Sequence, residues 1–152
     1  NSSYSLISEA VTILKTGSKT AVYIDAGHPN WNKPNVMAKR LRHANIVSAD
    51  GFALNVSNFY KTKRNLKYGR RLSQELDGAH FIIDTSRNGN GWNGEWCNPA
   101  GRAIGHVPTT QTGHRLVDAY LWVKPPGESD GYCNGGPAAG TWWAEYALEL
   151  VQ

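Results

Sequence analysis

The sequence predicts an α/β fold in which helices cover a parallel β-sheet. Short apolar strand patterns alternate with helical patterns along the chain, an order that is typical of parallel sheets. With 40% apolar and 18% charged residues, the composition is that of a globular protein. The predicted strands number half of an eight-stranded barrel, which usually needs about 200 residues or more. We therefore expect these 152 residues to form the carboxyl-terminal part of a larger parallel barrel domain.

The amino-terminal half contains two helix patterns and two strand patterns. The segment Ser5–Leu14 is predicted to be helical because apolar side chains recur on one face: Leu6, Ile7, Ala10, Val11 and Leu14. The apolar runs Thr20–Asp25 and Phe52–Val56 predict strands. Between these strands, Pro34–Arg42 is predicted to be a helix, because proline is favoured near a helix start.

The carboxyl-terminal half continues the alternation. Thr62–Leu76 is predicted to be a helix that ends at Asp77-Gly78 and turns its leucines inward. The remaining elements are a strand, a long irregular loop, a strand and a helix: His80–Asp84, Ser86 to about Gln111, Ala119–Val123 and Thr141–Val151. No internal repeat or low-complexity linker interrupts this order, so we expect one compact unit.

The predicted third helix carries much of the positive charge of a chain whose net charge is +4. Its cations form what we call the basic patch: Lys61, Lys63, Arg64, Lys67, Arg70 and Arg71. Such a patch fits either a nucleic-acid surface or a solvent-exposed helix face. Because a single aromatic residue, Tyr68, is interleaved with it and cannot stack a series of bases, we favour the exposed face and expect no nucleic-acid partner.

Three of the six tryptophans, Trp31, Trp92 and Trp96, fall in Gly/Asn/Pro-rich segments that are predicted to be loops. One loop tryptophan carries little information, since tryptophan is common in protein cores. Three in loops favour a flat apolar binding surface, such as a platform for sugar rings.

The two cysteines, Cys97 and Cys133, lie in glycine-rich segments and form no CxxC pair. Two ligands are too few for a structural zinc site, so a disulfide is the better interpretation. It would close a loop of about 36 residues and stabilise the fold by on the order of 4 kcal/mol. A disulfide implies an oxidising setting outside the cytoplasm, so we expect a secreted protein. No apolar run approaches the roughly 20 residues of a membrane helix, so we expect no membrane partner.

Polar residues lie at the end of every predicted strand or shortly after it. They are Asp25 with His28, Asn55 with Ser57, Asp84 with Arg87, and Lys124 with Glu128 and Asp130. Any one of them could be an ordinary cap or turn residue. Because the carboxyl ends of parallel strands meet at one edge of a sheet or barrel, the whole set favours a functional site there.

Paired carboxylates near tryptophan platforms are the components of a glycosidase, in which one acid protonates the leaving oxygen and another supports attack by water. The five histidines show no close metal-ligand spacing, so we expect no metal. The sequence contains no GxSxG elbow for a serine hydrolase, and we expect no cofactor.

Six motifs resemble those of glycoside hydrolase family 6, the cellulases that cut β-1,4-glucan with inversion, and they occur in the same order as in that family. They are YIDAGHPNW (Tyr23–Trp31), ALNVSNFY (Ala53–Tyr60), FIIDTSRNGNG (Phe81–Gly91), WCNPAGRAIG (Trp96–Gly105), VDAYLWVKPPGESDG (Val117–Gly131) and the closing TWWAEYALEL. The resemblance implies a distorted (β/α) barrel, of which this chain is the carboxyl-terminal part. The motifs around TSRNGNG and KPPGESDG are more similar to the bacterial endoglucanase branch than to the fungal cellobiohydrolases.

The resemblance also implies roles for individual residues. Asp130 matches the proposed catalytic base, Arg87 and Lys124 match its basic partners, and Asp25 matches an aspartate near the site. Substrate contacts are implied for His28, Trp31, Asn55, Trp96, Lys124 and Glu128, with β-1,4-glucan as the partner. Cys97 and Cys133 match a family disulfide pair. The full-length form is expected to be monomeric.

One part of the family pattern is missing from these residues. The family's general acid is an aspartate upstream of YIDAGH, whereas none of the 24 residues before Asp25 is an aspartate. We therefore expect residues 1–152 to be a partial catalytic domain without the amino-terminal strands and the general-acid loop. The alternative is a non-catalytic or degenerate β-glucan-binding fragment. A gene that encodes the aspartate loop upstream would support the enzyme fragment over this alternative.

Overall fold

The computed structural model describes residues 2–17 and 19–152, in which a four-stranded parallel sheet is packed against helices. The strands are β1 (Tyr23–Asp25), β2 (Gly51–Leu54), β3 (His80–Asp84) and β4 (Val117–Leu121). The helices are α1 (Ser2–Leu14), α2 (Pro34–His43), α3 (Thr62–Glu75) and α4 (Ala144–Leu150), and a short 3-10 helix spans Ile46–Ser48. Each strand pairs in parallel with the next, in the order β1-β2-β3-β4, which confirms the predicted fold class.

The sheet is apolar on both faces, as is usual for parallel sheets. On the helix side, Phe52, Leu54, Phe81 and Ile83 are fully buried, and the Phe52 and Phe81 rings stack with their centroids 5.1 Å apart. On the other side, small or branched residues form a second, smaller cluster: Ala53, Ile82 and Ala119. Within the sheet, Asp118 of β4 is the exception: it accepts a hydrogen bond from the Tyr23 hydroxyl at 2.7 Å and pairs with His80 at 2.6 Å.

Helix α3 confirms the predicted division between an apolar inner stripe and a charged outer face. Leu72 and Leu76 are buried, and all six cations of the basic patch are exposed. Gly69 faces the sheet, where a Cβ atom would overlap the buried Phe81 ring. Glycine at this position therefore lets α3 approach β3 closely.

The amino-terminal helix differs from the expected packing. Of its predicted apolar face only Val11 is buried, whereas Leu6 is 65% exposed. Helix α1 packs against the core through Val11 and Tyr4. The centroids of the Tyr4 and His43 rings lie 5.5 Å apart. A helical apolar period therefore does not show how much of a helix face the rest of the chain covers.

Several element ends also differ, for local reasons. β2 stops at Leu54 because Asn55 and Ser57 adopt left-handed backbone conformations, with φ of 69° and 57°. Helix α4 begins only at Ala144, because Trp142 first forms an antiparallel bridge with Glu128. β1 and β4 begin at Tyr23 and Val117 instead of the expected Thr20 and Ala119.

The outer edges of the sheet are sparsely covered by the described residues. Among them, β1 pairs only with β2, and the free side of β4 meets a single antiparallel bridge between Thr109 and Tyr120. In the same part of the chain, no helix combines the length and the apolarity that crossing a membrane requires.

We predict that Gly69→Ala destabilises the fold by about 1–3 kcal/mol, because the new methyl group overpacks a ring that cannot move away. The higher helix propensity of alanine offsets at most about 1 kcal/mol of this loss. Urea unfolding monitored by circular dichroism measures the effect, and Gln74→Ala on the exposed face of α3 is the control. A Gly69→Ala variant as stable as the unmodified chain would show that α3 does not pack closely on β3.

Candidate active site

A buried carboxylate joins the loops that follow three of the strands. Asp84, at the end of β3, is 1% exposed. The Ser57 and Lys124 backbone N–H groups donate to its Oδ2 at 3.0 and 3.1 Å, and the Ser86 N–H donates to its Oδ1 at 2.8 Å. These donors lie beyond β2, β4 and β3 respectively. The Asp84 carboxylate therefore fixes the positions of these loops relative to one another.

The same edge of the sheet holds Asp130 between two cations. Arg87 Nη1 donates to Asp130 Oδ2 at 2.7 Å, and Lys124 Nζ lies 3.6 Å from Oδ1. Both cations therefore lie within ion-pair distance of the carboxylate. The side chains of Asp130 and Arg87 are 3% and 0% exposed, so this ion pair is almost completely removed from water. A buried pair of this kind needs further hydrogen bonds to be stable.

Those further bonds come from two sides. Arg87 Nη2 donates to the Ser57 carbonyl at 3.0 Å, and its guanidinium lies 4.4 Å from the centre of the Phe59 ring. On the other side, the Asn98 N–H donates to Asp130 Oδ2 at 3.0 Å. In return, the Asp130 N–H donates to Asn98 Oδ1 at 2.7 Å. Asp130 is therefore restrained through both its carboxylate and its backbone.

Asn98 was not predicted as a site residue. It is 2% exposed and adopts a left-handed conformation with φ of 47°. Its amide also donates to the Gly131 and Cys133 carbonyls at 2.9 and 3.0 Å. Its signals in the sequence are its place in the WCNPAGRAIG motif and its position beside Cys97, which forms the predicted disulfide with Cys133 at a Cα separation of 6.1 Å. Asn98 and the disulfide together hold the Asp130 loop against the long irregular loop.

Lys124 also approaches the second acid of the β4 loop. Its Nζ lies 3.7 Å from Glu128 Oε2 and donates to the Ser129 carbonyl at 3.3 Å. The Glu128 side chain is one third exposed, compared with 12% for Lys124. Glu128 can therefore meet a ligand at the surface, whereas Lys124 is enclosed between the two carboxylates.

The pKa values of Asp25, at the end of β1, and of His28, in the loop that follows, are shifted from their usual values. Although Asp25 keeps exposed surface, the protein atoms that crowd its carboxyl raise its pKa above the usual value. The Gly27 N–H, which donates to Asp25 Oδ1 at 2.8 Å, and the nearby His28 oppose this shift. Partial burial lowers the pKa of His28, and Arg64 lowers it further, while Asp25 opposes both. The environment therefore favours neutral forms of both side chains.

Four rings form what we call the aromatic array: Trp31, His28, Tyr60 and Trp92. Adjacent centroids in this order lie 6.1, 4.8 and 5.5 Å apart, with interplanar angles of 27°, 20° and 19°. Trp31 lies over Gly27, where a Cβ atom would overlap the ring. The two outer rings are exposed, Trp31 to 64% and Trp92 to 37%. Tyr60 was not predicted to take part in this surface, since an aromatic residue next to Phe59 cannot be distinguished from a core residue by sequence.

Two other predicted substrate contacts have different environments. Trp96 is 47% exposed on the loop that carries Cys97, so its ring is open to a ligand. Asn55 is fully buried: its amide donates to the Asp84 and Asn58 carbonyls, and its Oδ1 accepts from the Tyr60 N–H. With these bonds made inside the protein, Asn55 positions the β2 loop and has no surface for a sugar.

The chain is similar to several proteins that are named endoglucanases. It is 56% identical to Endoglucanase A from Cellulomonas fimi over 131 residues, which cover 86% of this chain and 29% of that protein. It is 43% identical to Endoglucanase 1 from Streptomyces halstedii over 153 residues, which cover 96% of this chain and 47% of that protein. This chain thus spans less than half the length of these relatives.

Solved structures show the same arrangement of strands and helices. The endoglucanase Cel6 from Mycobacterium tuberculosis, in complex with methyl-cellobiosyl-4-deoxy-4-thio-β-D-cellobioside, matches with a TM-score of 0.93 and 47% identity over 97% of this chain and 52% of that one. The four-stranded sheet is thus a part of the distorted α/β barrel of these enzymes. The family model "Glycosyl hydrolases family 6" matches residues 1–152. The chain therefore belongs to glycosyl hydrolase family 6.

Proposed function

We propose that this chain takes part in the hydrolysis of β-1,4-glucosidic bonds in cellulose or related β-glucans, as one portion of an inverting endoglucanase catalytic domain. The observation that carries the proposal is the burial of Asp130 between Arg87 and Lys124, at the sheet edge that also carries the aromatic array. The relatives named as endoglucanases, and the Cel6 structure with its bound thio-oligosaccharide, support the choice of substrate class.

In this proposal Asp130 acts as the base for the attacking water. Its Oδ2 is occupied by Arg87 and Asn98, whereas Oδ1 meets only the longer 3.6 Å contact from Lys124. Oδ1 is therefore the oxygen that can accept a proton from water or from a short chain of waters. The adjacent cations offset the negative charge of the carboxylate. An inverting mechanism also requires a water between the base and the sugar ring, which in this proposal lies beside Asp130 Oδ1.

The glucan would lie on the exposed rings and polar groups around this edge. Trp31, Trp92 and Trp96 present open ring surfaces, on which the C–H faces of sugar rings can stack. His28 and Glu128 provide polar atoms for sugar hydroxyls. Asn55 contributes by holding the Tyr60 backbone. The disulfide supports a secreted enzyme, which agrees with an insoluble external substrate.

The proton donor is the component that these residues do not provide. No aspartate precedes Asp25, and we propose that the donor comes from a segment outside residues 1–152. Among the described carboxyls, Asp25 is the best substitute, since its raised pKa favours the protonated form. A non-catalytic glucan-binding role is the second proposal, and the absence of an aspartate before Asp25 favours it.

We predict negligible hydrolysis of soluble cellulose derivatives by the isolated chain, because general acid catalysis is typically worth about 10²–10⁴-fold. Activity should return when the amino-terminal half of the Mycobacterium tuberculosis Cel6 catalytic domain is added as a complementing fragment. In that mixture Asp130→Asn should abolish most turnover while leaving oligosaccharide binding nearly unchanged. Reducing-sugar release measures turnover, and Asp77→Asn on an exposed turn is the matched control.

Three outcomes would contradict this account. Turnover by the isolated chain that depends on Asp130 would show that a described residue, with Asp25 first in order, already serves as acid. Full activity of Asp130→Asn in the complemented mixture would remove its role as the base. Binding of cello-oligosaccharides without any turnover in the complemented mixture would favour the non-catalytic role instead.

The shifted pKa of Asp25 predicts a pH-dependent change in stability. Because its folded pKa is raised, its stabilising contribution is present below the usual value of 3.8 and is lost as pH rises through the folded pKa. Asp25→Asn should therefore raise the free energy of unfolding at pH 7 relative to the unmodified chain. Little change is expected at pH ~3.

Asp50 is the matched control, because the hydrogen bond from Lys15 lowers its pKa. Its contribution is present above 3.8 and is lost as pH falls through the lowered pKa, so Asp50→Asn should reduce stability at pH 7. Urea denaturation at both pH values measures the two effects. The same sign of change at pH 7 for both variants would contradict the assignment.

A further inference from the structure

The basic patch carries positive charge that no ion pair among the described residues offsets. All six of its cations, on and just before α3, are exposed. Within the part of the chain that the structure describes, none of them forms an ion pair with a carboxylate. Solvent-exposed cations on a helix face are ordinary, but a continuous unpaired set produces a positive potential that attracts anionic ligands.

The fold places this patch beside the aromatic array. The Arg64 guanidinium lies 5.1 Å from the centre of the Tyr60 ring. Arg64 and Lys67 line two open cavities: one of about 370 Å³ that Trp31 also lines, and one of about 490 Å³ that Tyr60 and Trp92 also line. The cations and the exposed outer rings of the array therefore border the same surface depressions.

From this arrangement we infer that the basic patch is a binding site for the carboxylates of an acidic β-glucan, one whose sugar units carry carboxyl groups. A chain that stacks on Trp31 or Trp92 would bring its substituents next to Arg64, Lys63 and Lys67. This inference rests on the proposed function, in which a glucan lies on the exposed rings around the sheet edge; we call that surface the glucan track. It adds a preference for glucan that bears negative charge.

The geometry favours a glycan over a nucleic acid. Tyr60 lies between His28 and Trp92, so both faces of its ring are covered within the array. Only the two outer tryptophans offer open faces, and they lie at opposite ends of the array. Successive unstacked bases need a series of open aromatic faces, which this surface does not offer.

The inference predicts tighter binding of an acidic than of a neutral glucan. Tryptophan fluorescence titrations would compare carboxymethyl cellulose with hydroxyethyl cellulose of matched chain length. At about 20 mM salt we expect roughly 5–10-fold tighter binding of the acidic polymer, and at about 300 mM salt we expect the difference to disappear through screening. Lys63→Gln/Lys67→Gln should remove the preference without weakening hydroxyethyl cellulose binding. Lys39→Gln/Arg40→Gln, which removes the same charge from exposed positions on α2, should preserve the preference.

The outcomes separate this inference from the proposed function. Equal affinity for both polymers at low salt would overturn the acidic-glucan site while leaving the glucan track in place. Equal loss of preference in both double variants would also overturn it, because total charge and not the patch would be responsible. A single-stranded DNA oligonucleotide that competes as well as carboxymethyl cellulose would overturn it in favour of a nucleic-acid surface. Failure to bind hydroxyethyl cellulose would instead contradict the proposed function.

Discussion

The geometry of this site depends on the buried carboxylate of Asp84. A charge that is almost fully removed from water is costly unless hydrogen bonds replace its hydration. Here the replacement comes from backbone N–H groups of Ser57, Ser86 and Lys124, one from each loop beyond β2, β3 and β4. Satisfying the carboxylate and aligning the loops are therefore the same event, and the aligned loops carry Arg87 and Lys124 to Asp130.

Asp130 is held by a second, partly independent set of restraints. The disulfide and Asn98 attach its loop to the long irregular loop, whereas Arg87 attaches it to the sheet edge. This enclosure explains why a residue proposed to act on water has so little exposed surface. It also leaves Oδ1 as the less occupied oxygen, so the restraints determine which part of the carboxylate remains available for chemistry.

The sequence was informative where the signal is local or rests on repeated patterns. Strand β3 and the disulfide were predictable from an apolar run and from the cysteine count, and the resemblance to family 6 implied the two cations beside Asp130. The bridging role of Asp84 and the reciprocal bonds of Asn98 were not predictable. Both depend on left-handed residues and loop contacts that arise only in the folded chain. Asn55 illustrates the same limit, since its burial makes it a support for the site and not a sugar contact.

The most direct test of this account is amide hydrogen exchange in an Asp84→Asn variant. This substitution removes the charge that the three loop amides bind. A hydrogen bond to a charged group is typically worth about 1.5–3 kcal/mol, so each of these bonds should weaken. We predict at least ~10-fold faster exchange at the Ser57, Ser86 and Lys124 amides, with the Ile82 amide of β3 remaining protected. Unchanged protection at all three loop amides would contradict the claim that Asp84 organises the site.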